Sequence, residues 1–195
     1  MSRSLIISVL TGALAAPFAR GAEGSLHDAA TYLEAGEKDK AAAELMAYGR
    51  GDPAAPLANQ ALDGVLLLYK KNVAPAVLAK YVDALALLAD GYAATADEVF
   101  REMAADEALP WALRGRAALL AADLNTRGDG VKLLERAWRE CDDDTGRLLG
   151  VALAEAYYKE GRVKEACEVR DAFAKRFPGD EGLKYFEYLS EEAGR

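Results

Sequence analysis

Residues 153–178 read LAEAYYKEGRVKEACEVRDAFAKRFP, and this stretch decides the fold. Ala154 and Ala166 are small enough for two antiparallel helices to approach closely, and Tyr157 is bulky enough to fill the space between them. Gly161 takes the left-handed conformation that ends a helix without a Cβ penalty. Pro178 cannot continue a helix and pushes Phe177 out of the helical region. The stretch therefore predicts a helical hairpin, with Leu153 and Phe173 adding apolar bulk.

The same skeleton recurs. Residues 29–53 read AATYLEAGEKDKAAAELMAYGRGDP, and Ala29, Tyr32, Gly36, Ala41 and Pro53 share the spacing of Ala154, Tyr157, Gly161, Ala166 and Pro178. A looser copy runs through Ala84, Leu87, Gly91, Ala96, Phe100 and Met103, with its Pro two residues late at Pro110. A fourth has Ala121, Leu124 and Gly128, but Leu133 where Ala is expected. The small first-helix residues 29, 84, 121 and 154 lie 55, 37 and 33 residues apart. The long first interval leaves room for an extra helix within 54–71.

This pattern resembles the tetratricopeptide repeat (TPR), a helix–turn–helix unit with a period of about 34 residues. The resemblance implies an all-α fold, an α-solenoid of stacked antiparallel helix hairpins with about nine or ten helices. It implies a non-enzymatic scaffold whose first helices line a concave groove that takes a protein partner, as a peptide or helix. In that register the groove residues are Leu33, Tyr81, Leu85, Leu88, Ala122, Asn125, Glu155, Tyr158 and Lys159. At the Asn positions of the family's carboxylate clamp stand Ala30, Leu85, Ala122 and Glu155, so the clamp is absent. A groove of Leu, Tyr and Ala suits an apolar helix or extended peptide.

A second resemblance lies in residues 84–128. Asp106, Leu109, Pro110, Leu113, Arg114 and Ala117 are similar to bacterial TPR-like proteins related to the ancillary subunit of the SecYEG translocon. That family is anchored in the inner membrane and exposes its helical domain to the periplasm. The implied alternative is a membrane-associated translocon ancillary or chaperone-like factor.

Composition agrees with a helical chain. Hydrophobic residues make up 52 %, much of it Ala, and no segment alternates with period two. The net charge of −8 with no basic stripe argues against nucleic acid and against strong binding to an anionic membrane surface. Residues 1–22 have Arg3, an apolar run from Leu5 to Ala16 and then small residues, the layout of a secretory signal peptide. The expected domains are that signal peptide and a helical repeat domain over 23–195. The expected location is periplasmic or secreted, the alternative being an uncleaved N-terminal anchor in the inner membrane.

Further helices are expected over 54–71, 74–90 (opened by Pro75), 129–141, 144–160 and 180–193, the last a terminal cap with Leu183, Phe186 and Leu189 on one side. Ser25 suits the N-cap of the first helix.

The residue types of common catalytic sites do not assemble. His27 is the only histidine and has no metal-ligand partners at suitable spacing. There is no Gly-x-Ser-x-Gly elbow and no phosphate loop around Gly128-Asp129-Gly130. Asp142, Asp143 and Asp144 lack the alternation of a calcium loop and read as a solvated turn. No metal or cofactor is therefore expected. Cys141 and Cys167 fall on successive second helices, on the order of 10 Å apart by helical rise. That is beyond disulfide reach, so free thiols are expected. Arg50-Gly51-Asp52 and Arg127-Gly128-Asp129 are read as turn chemistry rather than adhesion motifs.

Overall fold

The computed structural model describes residues 24–51, 57–141 and 143–193. The expected signal peptide over 1–22, and with it Pro53, Asp52 and Asp142, lie outside the described residues. Among those described there are ten α-helices and no strand: α1 Leu26–Glu34, α2 Lys38–Gly51, α3 Ala58–Tyr69, α4 Pro75–Ala89, α5 Ala93–Ala105, α6 Trp111–Leu124, α7 Gly130–Glu140, α8 Asp143–Lys159, α9 Val163–Arg176 and α10 Gly182–Ala193. No described helix is long and apolar enough to cross a membrane.

The hairpin skeleton appears in the turns. Gly36 and Gly161 have φ of 75° and 72°, where a side chain would be strained. The Gly36 N–H donates to the Leu33 carbonyl at 3.0 Å, and the Glu37 N–H reaches back to Tyr32 at 2.8 Å. Gly161 and Arg162 repeat this with Tyr158 and Tyr157, at 3.0 and 2.8 Å. The turn at Gly91 makes the same pair of bonds to Leu88 and Leu87. Each satisfies carbonyls that a helix end would otherwise leave open. The fourth turn differs. Helix α6 ends on Asn125, itself left-handed at φ 46°, whose Oδ1 accepts the Gly130 N–H at 2.9 Å to start α7.

The small residues sit where close helices need them. Ala29, Ala41, Ala84, Ala96, Ala121, Ala154 and Ala166 are all fully buried. Leu133, the misfit of the fourth copy, is only half-buried, and the adjacent Leu134 goes inside instead. Ser25 caps α1 by accepting the Asp28 N–H at 3.2 Å, and Pro75 opens α4.

Two arrangements share the chain. Helices α1 to α4 pack in a ring: α1 on α2, α2 on α3, α3 on α4, and α4 back on α1. From α6 onward the helices close in threes instead, with α7 packing on both α6 and α8. Helix α6 packs on α7 and α8, α8 on α9 and α10, and α9 on α10. The first part has an aliphatic core with Tyr81 against Phe100, centroids 5.8 Å apart. The second is organised on Phe173, whose ring lies 4.9 Å from Phe177, 5.0 Å from Phe186 and 6.2 Å from Trp138. Helix α6 belongs to both. Ala112 to Ala118 and then Leu120 and Ala121 are all buried, Arg114 and Arg116 included.

Candidate functional site

Helix α6 leaves one strip less than fully enclosed. Arg116, Leu119, Leu120 and Asp123 recur at helical spacing along it, joined by Ala122. Leu148, Ala152, Glu155, Ala156 and Lys159 form the matching strip of α8. Between them lies a groove of about 390 Å³. Asn59, Gln60 and Asp63 of α3 and Tyr81 of α4 close one end, and Asn125, Gly130, Val131 and Leu134 close the α7 side. That volume falls in the range of ligand pockets.

The walls are apolar and the charges are ordered. Arg116 is 9 % exposed. Its Nε donates to Asp63 at 3.0 Å and its Nη1 to the Ala112 carbonyl at 2.9 Å. Glu155 is 7 % exposed and pairs with Lys159 at 2.8 Å across one turn of α8, and the Tyr185 hydroxyl of α10 donates to it at 3.4 Å. Both groove cations are thus committed. Loss of water around Tyr185, with Glu155 beside it, pushes its phenol up to about 12. Burial likewise holds the Tyr81 phenol well above its ordinary value, with Asp63 adding to the effect and Arg116 opposing it.

Two acceptors are left over. Asp123 makes no hydrogen bond or ion pair with any described residue. Solvent reaches it, yet the concave wall strips enough water to raise its carboxyl pKa; Lys159 opposes that shift and Glu155 adds to it. The Gln60 side-chain carbonyl is out of solvent and has no donor among the described residues. A buried acceptor without a donor carries a desolvation penalty.

Of the residues expected to line a groove, Tyr81, Ala122, Asn125, Glu155 and Lys159 meet here. Leu33 and Leu85 are 0 % exposed and Leu88 is 7 % exposed, all three in the core. The reason is the ring: α1 packs directly on α4, so each covers the inner face of the other. Tyr158 is also off the groove. It is half-buried toward α9, its hydroxyl 4.0 Å from the Cys167 thiol. Asn59, Gln60, Asp63, Arg116, Leu119, Leu120 and Asp123 were not expected in the groove. The one sequence signal for them is the charged pair Arg114 and Arg116 inside an otherwise Ala- and Leu-rich helix.

The other sequence candidates are placed simply. His27 is exposed, with its Nε2 2.9 Å from the Asp90 carboxylate. Cys141 and Cys167 are not bridged. No group of three or more His, Cys, Asp or Glu among the described residues is arranged to hold a metal ion. No protein-family model, curated protein or solved structure matches the chain.

Proposed function

We propose that this protein is a TPR-like, non-enzymatic scaffold that binds a protein partner, as a peptide or helix, in the groove between α6 and α8. The observation that carries this reading is the groove itself: an apolar trough of about 390 Å³, flanked by two parallel strips of side chains and open to solvent. Its cations are neutralised in place, which leaves apolar contact as the main source of affinity. Helix-in-groove recognition uses such a trough, with side chains at helical spacing entering it. With residues 1–22 read as a signal peptide, the scaffold works outside the cytoplasm, either free in the periplasm or tethered by that segment. Fractionation of the native host tests the location.

The binding test places a photo-crosslinker at Ala122 and compares it with one at Tyr92, which is 60 % exposed and away from the groove. The expected result is a protein adduct specific to position 122 that disappears when Ala156→Trp fills the trough. Adducts that are equal at both positions, or unaffected by Ala156→Trp in a folded chain, overturn the reading.

A further inference from the structure

We propose that the occupant of the α6–α8 groove is a basic amphipathic segment, one that lays aliphatic side chains in the trough and presents a Lys or Arg to Asp123. This rests on the groove being a peptide site and goes further by naming the partner's chemistry. The argument is one of charge complementarity. Six charged residues line the groove: Asp63, Arg116, Asp123, Glu155, Lys159 and Glu160. Arg116 is held by Asp63 and Lys159 by Glu155, while Glu160 points to Arg162 outside the groove at 3.4 Å. Subtracting these pairs leaves Asp123 as the one groove charge with no hydrogen bond or ion pair to a described residue, Lys159 acting on it only at longer range. The second unmet group, the Gln60 carbonyl, is also an acceptor. Both want an N–H donor, and Lys and Arg side chains carry several donors and no acceptor. An acidic segment would bring a further negative charge beside Asp123 and Glu155, with Arg116 and Lys159 already paired.

Asp123 also lacks a structural role that would explain its position. It caps no helix, crosses to no neighbour and sits at the C-terminal end of α6, where the helix dipole disfavours a negative charge. A carboxylate in that place, at the negative end of the helix dipole, gains from a cation that pairs with it.

The test uses the full chain and two synthetic probes of one amphipathic helical pattern, one with Leu and Lys, the other with Leu and Glu. Calorimetric titration is expected to show the Leu/Lys peptide binding and the Leu/Glu peptide binding at least about tenfold more weakly. Asp123→Asn is expected to weaken only the Leu/Lys peptide, by about five- to tenfold, while leaving the chain folded and no less heat-stable. Ala156→Trp should abolish binding of both. Equal binding of the two peptides, both blocked by Ala156→Trp, keeps the groove as a peptide site and overturns its basic preference. So does an Asp123→Asn variant with unchanged affinity. Binding of neither peptide, or binding indifferent to Ala156→Trp, overturns the groove reading itself.

Discussion

The two parts of the molecule use the same hairpin to opposite ends. In the ring of α1 to α4, the first helix of one hairpin is pressed against the first helix of the next, and their inner faces vanish into an aliphatic core. From α6 to α10 the helices close in threes, and α6 and α8, in contact at Gly115 and Thr145, still leave a trough along the rest of their facing sides. The first part also holds α3, an extra helix that fills the long interval between the first two copies of the skeleton and packs on both α2 and α4. Related hairpins thus yield a sealed core in one part of the molecule and an open groove in the other.

The sharpest way to break this contrast is at the aromatic centre of the open part. Phe173→Ala removes a fully buried ring with three aromatic neighbours, and is expected to cost about 3–5 kcal/mol. If the two parts differ as described, hydrogen exchange speeds up in α7 to α10 and α1 to α4 keep most of their protection. Equal loss of protection throughout makes the chain a single cooperative unit.

A smaller effect is expected where α6 meets α8. A Cβ on Gly115 would lie 2.1 Å from the Thr145 methyl, and Thr145 is buried with a stiff branched side chain. Gly to Ala inside a helix is normally favourable by about 0.5–1 kcal/mol. Overpacking at this distance should win, giving a net destabilisation of about 1–3 kcal/mol. Ala154→Leu, which overpacks the α8–α9 hairpin, is expected to cost a similar amount. Thermal unfolding checks both, and an unchanged midpoint for Ala154→Leu removes the hairpin register.

The smallest expected effect has the opposite sign. The carboxyl of Asp123 has its pKa raised on folding, so the folded chain holds the proton more tightly than the unfolded one. Stability from this group therefore grows as pH falls through the raised pKa, is complete below the unfolded value near 3.8, and is lost at neutral pH. Asp123→Asn should be slightly more stable than the parent at pH 7, and the gap should close toward pH 4. Differential scanning calorimetry at both pH values decides it.

The hairpins were legible because their signals are local. The Ala–Tyr–Gly–Ala spacing sets a close approach and a left-handed turn within thirteen residues, and Gly36 and Gly161 make the turn while the buried alanines make the approach. Asn125 lines the groove, as its register predicts, and is also the residue that turns α6 into α7. The groove itself was only half legible. Periodicity finds an apolar face but does not name its neighbour, so Leu33, Leu85 and Leu88 read as groove residues until α1 meets α4. Helix α6 is buried almost all round, so no stripe marked its open strip. Tyr158 precedes the groove residue Lys159 by one position, and that step around the helix turns it from the groove toward α9. Asp123 reads in sequence as one more surface acid. Its isolation depends on where Arg116 and Lys159 spend their charge, which is a property of the assembled helices.

The most direct test compares the two inner faces in one chemistry. Cysteines are introduced by Ala122→Cys and Ala156→Cys in the trough and by Ala84→Cys in the ring, with Cys141 and Cys167 replaced by Ser, and their rates of thiol labelling are measured with and without the Leu/Lys peptide. The account predicts fast labelling at 122 and 156 that slows when the peptide is present, and negligible labelling at 84 in either case. Labelling at 122 and 156 as slow as at 84, or unaffected by saturating peptide, would contradict it.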